Sequence, residues 1–418
     1  MFKINNLTQD FMKTAFGNIL EWYDFTVYGL FAIQISKAFF PNSNKFLSLL
    51  MVFATFAISF LVRPLGSIIF GLLGDRYGKH YAVNLSIWLM AIPTTLIGLL
   101  PSYQIIGIFA PLLLIILRMC QGISAGGQFS GLIAISVESK SENKSLLTSL
   151  IYTISVIGCF IATLIGYITI SLVQHYNQNQ SFFISTLSWR IPFILSMVLF
   201  IIYYKMLPDL SKHSTTLEHD FKIKDIMKKQ PRELLIMMII SSASGSLYYL
   251  LFTYLVTYLQ VYVGISKNTA FLIENCLLAL SIILYPLFGY YAGYLKCRVK
   301  TAQLISLSMI IAVCMLFYIK VSLLFGLVGG ILLVIAFCAI TSLTTSLFGE
   351  VFDSNYRMTA CSFSFNLGVT ISGFLPMVAE ILSKYFEYGL QILLFVIVIM
   401  FYFGLQLLIK TNGYKYVK

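Results

Sequence analysis

The stretch FGNILEWYDFTVYGLF, from Phe16 to Phe31, is an apolar segment that carries two carboxylates, Glu21 and Asp24. If the segment is helical, acids three residues apart lie on or near one face. The chain has 418 residues, of which 59% are hydrophobic and only 11% charged, and its mean hydropathy is +0.87. This composition places the segment in a membrane, where an ionisable side chain is costly and indicates a functional site.

Apolar runs recur along the whole chain, and a helix needs about 20 such residues to cross a bilayer. The short alternating segments of an outer-membrane barrel are absent from the sequence. No small-residue cleavage site follows the polar stretch Met1–Lys13, so the first apolar run is predicted to be retained. We predict an all-α protein of a bacterial-type inner membrane with twelve spans, at about residues 14–38, 46–73, 82–100, 106–135, 146–172, 185–206, 234–262, 268–295, 300–318, 322–347, 357–383 and 388–409.

One sizeable polar segment, Pro208–Arg232, divides the spans six and six. It is predicted to be either a short surface helix or a solvated linker. A faint repeat relates RPLGSIIFG (Arg63–Gly71) to YPLFGYYAG (Tyr285–Gly293), as expected for two halves that rock about a central site. The predicted domains are therefore an N-terminal six-helix half (1–207), a cytoplasmic linker (208–232) and a C-terminal six-helix half (233–418).

Lys and Arg residues set the predicted orientation. With both termini in the cytoplasm, 20 of the 28 basic residues lie on the cytoplasmic side and six on the other, which satisfies the positive-inside rule. The net charge of +12 then reflects loops that contact anionic lipid, not a nucleic-acid site. We expect a monomer whose partners are the bilayer, protons and a small metabolite.

Asp24 and Arg118 lie well inside their predicted spans, where neither should stay charged without a partner or a water-filled cavity. An aspartate beside an arginine keeps its negative charge, and it takes up a proton when the arginine withdraws. The pair therefore predicts proton coupling, and the alternative is a static ion pair that fixes helix packing. Glu21 either assists or stabilises the helix end. Glu274 and Glu380, nearer their span ends, are expected to reach the interface.

Two glycine-rich stretches indicate close helix contacts. RMCQGISAGGQFSG has glycines at 122, 126, 127 and 131, a spacing that lets a neighbouring helix approach and slide. In GLLGDRYGKH, glycines bracket Asp75 and Arg76 in the predicted loop between spans two and three. Asp75 can pair with a cation or a helix N-terminus of the other half, which would latch one conformation.

Through these motifs the sequence resembles a major facilitator superfamily transporter. More narrowly it is similar to the metabolite:proton symporter family, which includes proline/betaine, α-ketoglutarate, citrate and shikimate carriers. The resemblance covers nearly the whole chain. It rests on GNILEWYDFTVYG, RPLGSIIFGLLGDRYGK, LRMCQGISAGG, SGSLYYLLFTYLVTYL (Ser244–Leu259) and GEVFDSNYRMTACSFSFNLG (Gly349–Gly368).

The resemblance implies roles for individual residues. Asp24 and Arg118, with Glu21, match the proton-coupling positions. The conformational latch is implied at Gly71, Asp75, Arg76, Gly78, Glu138 and Arg357. A substrate site between the halves is implied at Tyr23, Tyr28, Gln121, Gln128, Tyr248, Tyr249, Tyr254 and Asn366.

The chain departs from the family pattern at two of these motifs. Gln128 replaces the usual Glu of span four, which puts proton stoichiometry and substrate charge preference in doubt. Gly293 stands where the second-half latch expects an Asp, so the latch is predicted to be asymmetric.

Nothing in the sequence indicates an enzyme, since it has no HExxH or GxSxG motif and its four histidines fall in predicted loops. The seven cysteines form no CxxC pair and are predicted to be packing residues, so no metal or cofactor is expected. The predicted function is proton-coupled symport of an organic acid or a zwitterion such as proline or betaine. The alternatives are an antiporter, uniporter or exporter on the same fold, and a non-transporting membrane sensor.

Overall fold

In a computed structural model the chain is helical throughout the ranges that the structure describes, which are residues 15–42, 44–77, 79–138, 143–176, 182–206, 228–352 and 357–411. The described part of the N-terminal half contains nine helices. They are α1 (Asn18–Leu30), α2 (Ala32–Phe39), α3 (Lys45–Leu61), α4 (Arg63–Tyr77), α5 (Lys79–Leu99), α6 (Tyr103–Ile106), α7 (Phe109–Glu138), α8 (Lys144–Tyr176) and α9 (Phe182–Met206).

The C-terminal half begins with α10 (Pro231–Tyr249), which runs on through two π-helical turns that flank a single α turn. These are the π turn Leu250–Tyr254, α11 (Leu255–Tyr258) and the π turn Leu259–Val263. The remaining helices are α12 (Lys267–Ala292), α13 (Arg298–Leu316), α14 (Leu323–Thr344), α15 (Leu347–Glu350), α16 (Arg357–Gly373), α17 (Leu375–Tyr385) and α18 (Gly389–Ile409).

Eleven helical stretches in the described ranges are long and apolar enough to cross a membrane. The predicted first span corresponds to α1 and α2, which have 13 and 8 residues and are separated by a turn at Phe31. Neither helix alone reaches spanning length, so the count of twelve spans stays a prediction. Both chain ends lie outside the described residues, and their cytoplasmic location likewise stays a prediction.

Two predicted boundaries are wrong. Asp75 and Arg76 were expected in a loop, but α4 continues to Tyr77, because no proline interrupts it and a helix can extend past the bilayer into water. The predicted linker ends at Arg232, yet α10 already begins at Pro231, where a helix tolerates proline because its first N–H needs no intrahelical partner. Residues 207–227, most of the linker, lie outside the described ranges.

Close contact between α4 and α7 depends on glycines, as the spacing in α7 predicted. A Cβ on Gly122 would collide with the carbonyl oxygen of Ser59, and one on Gly126 would collide with that of Arg63. From the other helix, a Cβ on Gly66 would strike the backbone at Ile123. Gly66 and Gly126 thus bring α4 and α7 together beside Arg63, and Gly122 brings α7 against the end of α3.

The two halves meet along two seams. In the first, α8 packs against α12, and in the second, α16 packs against α3, α4 and α7. Side chains of α16 bond to main-chain carbonyls across the second seam: Asn366 Nδ2 donates to Gly126 O at 2.8 Å, and Thr370 Oγ1 donates to Phe60 O at 3.0 Å. Each of these side chains also donates within α16, Asn366 to Ser362 O at 2.9 Å and Thr370 to Asn366 O at 2.8 Å.

Arg298 bridges the halves at the end of the first seam. Its guanidinium pairs with Glu350 at 2.6 Å and donates to Ser346 at 2.6 Å, both in its own half. It also donates to Ser145 Oγ of α8 in the other half at 3.0 Å. The second-half motif thus supplies a bridging arginine even though Gly293 stands at its expected acid position.

The π turns after α10 orient two tyrosines toward α17. Tyr254 donates to Glu380 Oε2 at 2.9 Å and Tyr262 donates to Glu380 Oε1 at 2.8 Å. Glu380 is 1% exposed, so the expectation that it reaches the interface is wrong. Local widening of a helix by a π turn often marks a functional segment.

Candidate functional site

One face of α1 carries the polar groups of the site. Glu21, Asp24 and Tyr28 follow one another at spacings of three and four residues, which stacks them on one side of the helix. All three side chains are buried, as is Phe25 between them. The face is therefore directed into the bundle, against side chains of α3, α4, α5 and α7.

Asp24 and Arg118 form the predicted pair. Arg118 Nη1 lies 3.0 Å from Asp24 Oδ2, and both side chains are at most 1% exposed. Gln121, one turn further along α7, donates to Asp24 Oδ1 at 2.6 Å and accepts from Arg118 Nη1 at 2.9 Å. Both carboxylate oxygens therefore have a donor in this closed arrangement, as a buried charge requires.

Neighbouring groups complete the coordination of Arg118. Ser59 Oγ accepts from Nη2 at 3.4 Å, and the Tyr28 ring lies 4.2 Å below the guanidinium carbon. Thr94 of α5 accepts from the Gln121 amide at 2.9 Å. The pair is thus held by four helices of one half, and only Asp24 can neutralise the arginine among these groups.

A second pair lies one turn away on α1. Arg63 Nη2 is 3.5 Å from Glu21 Oε1, and both side chains are at most 2% exposed. The Arg63 guanidinium also lies over the rings of Phe60 and Phe25, at 4.4 and 4.6 Å. Neither Glu21 oxygen has a hydrogen bond within the described residues, so this pair is looser than the Asp24 pair.

A small cavity lies between the halves beside Arg63, and most of its wall is aromatic. Trp22 meets Tyr248 edge-on at 4.5 Å and stacks on Tyr249 at 6.3 Å between ring centroids. The wall combines one cation, several ring faces and a serine hydroxyl. Its lining residues are Trp22, Arg63, Phe129, Tyr152, Ser244, Gly245, Tyr248, Tyr249, Phe365 and Val369.

Of the predicted substrate residues, Tyr248 and Tyr249 line this cavity. The other three predicted tyrosines do not line the cavity and form hydrogen bonds with other groups. Tyr23 donates to Pro192 O at 2.5 Å, Tyr28 donates to Val52 O at 3.2 Å, and Tyr254 donates to Glu380. Their substrate role stays a prediction that requires a conformation in which these bonds break.

The three predicted polar amides take different positions. Gln121 belongs to the Asp24 pair, and Asn366 bridges the second seam. Gln128 is fully buried in α7, and neither atom of its amide has a partner among the described residues. A neutral amide there needs no counter-charge, whereas an ionised glutamate would.

The predicted latch falls largely outside what the structure describes. Gly78 is not described, and for five other residues only the helical backbone is. Those five, in α4, α7 and α16, are Gly71, Asp75, Arg76, Glu138 and Arg357. The latch therefore stays a prediction.

Sequence reasoning missed several residues of the site. Arg63 was given no role in the site, and it contacts Glu21 and lines the cavity. Trp22 and Phe129 were not singled out, although Trp22 directly follows Glu21 in the opening motif. Glu274 was expected near the interface and is fully buried, which corrects that expectation.

Metal-ligand chemistry has little support in the described ranges. They contain no group of three or more His, Cys, Asp or Glu side chains placed to hold a metal ion. None of the seven cysteines forms a disulfide. The expectation that no cofactor is bound stays a prediction.

Comparison with known proteins identifies the class. The model of the Major Facilitator Superfamily matches residues 11–375, and the chain belongs to that superfamily, as its motifs predicted. It is therefore a multi-pass membrane transporter. The xylose transporter XylE from E. coli, solved in a partially occluded inward open conformation, shares the fold with a TM-score of 0.72 at 14% identity, over 97% of this chain and 98% of that chain.

Within the superfamily the similarity narrows to transporters of small metabolites. The glycine betaine/proline/ectoine/pipecolic acid transporter OusA of Dickeya dadantii is 30% identical over 384 residues, which cover 87% of this chain and 75% of that protein. The proline/betaine transporter of Escherichia coli K12 is 29% identical over the same shares. The E. coli shikimate transporter is 40% identical over 185 residues, covering 44% of this chain and 41% of that protein.

Proposed function

We propose that this protein is a proton-coupled symporter of a small zwitterion such as proline or betaine, working by alternating access. In this proposal α1 and α2 together form a twelfth span, and both termini face the cytoplasm. The protein resides as a monomer in a bacterial-type cytoplasmic membrane. The proton gradient drives transport without a bound cofactor.

The observation that carries the substrate class is the cavity between the halves. Its one cationic group, Arg63, suits a carboxylate, which a guanidinium binds through two parallel hydrogen bonds. Its ring faces suit an ammonium group, which aromatic rings attract through their negative faces. A zwitterion presents both groups a few atoms apart. OusA and the proline/betaine transporters carry such substrates by name, which supports this proposal.

The Asp24–Arg118 pair supports proton coupling. In the closed arrangement Asp24 is fully paired and buried, so it can remain ionised. Movement of α7 against α1 would remove Arg118 and Gln121 together, because both are on α7. A carboxylate left alone in that apolar setting takes up a proton. The protonation state of Asp24 therefore follows the relative position of two helices.

The proposed cycle joins these elements. Asp24 takes a proton from the outer side, the zwitterion binds between Arg63 and the aromatic rings, and the halves rock. The latch around Asp75 and Arg76 opens and closes as they do. Release of substrate and proton inside restores the Asp24–Arg118 pair. Arg298 with Ser145 would part as that end of the first seam opens.

A second candidate substrate is an organic acid without an ammonium group. The similarity to the shikimate transporter over 44% of this chain favours it, and Arg63 would still bind its carboxylate. The aromatic wall would then contact the hydrocarbon part of the acid. The two candidates differ in whether a positive charge on the ligand improves binding.

The test uses purified protein in liposomes adsorbed to a solid-supported membrane. Proline, glycine betaine, shikimate and di- and tricarboxylates are applied at two pH values, and currents are recorded. We expect a pH-dependent current for the zwitterions, abolished in Asp24→Asn while counterflow exchange persists. Glu387→Gln, at an exposed loop position, is the matched control and should behave as wild type.

Each contrary outcome has a distinct meaning. Normal pH-driven accumulation by Asp24→Asn would reduce the pair to a static packing contact. Counterflow that does not depend on pH would favour an antiporter, uniporter or exporter. If the folded protein gives no current with any of the compounds, a non-transporting sensor is favoured.

A further inference from the structure

Glu274 lies at the interface between the halves and is unused by the mechanism above. It is in the second turn of α12, whose main neighbour in the other half is α8. The side chain is 0% exposed. On the next residue, Asn275 Oδ1 accepts from Thr163 Oγ1 of α8 at 2.8 Å, which ties the two helices together at this level.

The carboxyl of Glu274 has no hydrogen-bond partner or counter-charge within the described residues. The other three buried acids there differ from it. Asp24 pairs with Arg118, Glu380 accepts from two tyrosines, and Glu21 lies 3.5 Å from Arg63. An ionised carboxylate without a partner in an apolar interior is strongly disfavoured, so Glu274 is neutral while this seam is closed.

Among the residues that the structure describes, no cation is paired with Glu274. From α8 the titratable group facing it is the Cys159 thiol. The tyrosines of α11 and of the following π turn bond to other partners, Tyr258 to Gln391 and Tyr262 to Glu380. Along α12 itself, Lys267 lies two turns away at the helix start, beside the Phe31 ring.

A polar route leads from this position to the cavity. The Cys159 thiol is 2.8 Å from the Tyr248 hydroxyl, and Tyr248 lines the cavity. Glu274 thus lies at the seam near a thiol whose hydroxyl partner lines the cavity, while its own carboxyl has no hydrogen bond among the described residues. Proton exchange with water needs contact with one of these two spaces when it opens.

We propose that Glu274 is a second proton-carrying residue, neutral while the α8–α12 seam is closed and able to release its proton to water when the halves part. This inference rests on the proposed proton-coupled transport. It adds one proton per cycle to the one at Asp24. Since Gln128 replaces a glutamate in α7, Glu274 would supply a titratable carboxyl in the other half.

The direct test is infrared difference spectroscopy of the full-length protein in liposomes, titrated with alkali without substrate. Wild type should show a protonated-carboxyl carbonyl band that disappears in Glu274→Gln and is unchanged in Glu387→Gln. An identical set of bands in Glu274→Gln and wild type would overturn the proposal. This measurement needs no transported compound. A negative result for Glu274 can therefore be distinguished from failure of the proposed transport function.

A second measurement does not depend on folding of the glutamine variant. Thr163→Cys and Asn275→Cys, in a chain whose native cysteines are replaced, allow a disulfide to hold the seam closed. The carboxyl band should persist to higher pH in the oxidised protein than in the reduced protein. Equal titration in both forms would contradict exchange through an opening seam.

A third measurement follows transport, with glycine betaine as the transported compound. The proton-to-substrate ratio, obtained from reversal potentials at several pH gradients, should fall in Glu274→Gln while counterflow continues. An unchanged ratio would overturn the role in coupling even if the carboxyl band is lost.

Discussion

The guanidinium of Arg63 lies 3.5 Å from the Glu21 carboxylate and at the same time forms part of the wall between the two halves. One side chain therefore faces both an acid of α1 and the space proposed for the substrate. Because Arg63 is the first residue of α4, its position follows the close packing of α4 on α7 at Gly66 and Gly126. In the proposed mechanism, helix packing and substrate recognition are therefore linked.

Arg63→Lys should weaken binding of a carboxylate substrate. Lysine keeps the charge but loses the planar fork, and a hydrogen bond to a charged group contributes about 1.5–3 kcal/mol. We expect the apparent KM for proline or glycine betaine to rise about tenfold to a hundredfold. Uptake kinetics in liposomes measure this effect. Arg232→Lys, at an exposed position of α10, is the control. An equal rise in KM in both variants would show that Arg63 does not bind the substrate carboxylate.

Trp22→Leu should reduce affinity for a quaternary ammonium more than for an acid without a positive charge. A cation over an aromatic face is worth about 0.5–2 kcal/mol, so glycine betaine binding should weaken roughly two- to thirtyfold. Competition of each ligand against radiolabelled proline measures the difference. Trp88→Leu alters a partly exposed tryptophan on the outer face of α5 and should leave both affinities unchanged. Equal losses for shikimate and betaine would favour the organic-acid candidate.

Gly122→Val should destabilise the protein because its side chain would meet the carbonyl of Ser59. Overpacking of a tight contact costs about 1–3 kcal/mol. The matched variant Gly330→Val is expected to be mild, because the nearest atom to a Cβ there is Leu316 Cδ2 at 4.0 Å. Thermal unfolding in detergent, followed by tryptophan fluorescence, compares the two. Equal melting temperatures would show that α3 and α7 can move apart at Ser59 without loss of stability.

Arg298→Gln should loosen the end of the first seam where Arg298 contacts Ser145, Ser346 and Glu350. We expect faster labelling of a cysteine placed at Ser244, on the cavity wall, by an impermeant maleimide added from that side. Lys300→Gln, exposed two residues later, should leave the labelling rate as in wild type. No change in Arg298→Gln would mean that other contacts hold this end closed.

The sequence predicted the helical membrane fold, the family and the meeting of Asp24 with Arg118. The fold follows from hydropathy and the pair from the cost of isolated charges in a membrane, both of which are local properties, whereas the family follows from the resemblance of its motifs. The glycine spacing of α7 likewise predicted its close neighbour. Domain roles, latch contacts and the substrate assignments at Tyr23, Tyr28 and Tyr254 stay predictions.

Other features depended on the tertiary arrangement. Depth along a span suggested that Glu274 and Glu380 could reach the interface, but packing against α8 and against the π turns buries them. The π turns themselves have no proline or glycine that would have indicated them. The cavity wall draws residues from both halves, and sequence spacing cannot relate side chains separated by more than a hundred residues.

The hydrogen bonds of Asn366 and Thr370 across the second seam have a consequence for the speed of the cycle. Both donors already have a second acceptor on their own helix, and both acceptors across the seam are main-chain carbonyls that can also serve their own helices. When the halves separate, none of these groups is left without a partner inside the membrane. These two hydrogen bonds can therefore fix the register of the seam while adding little enthalpic resistance to its opening.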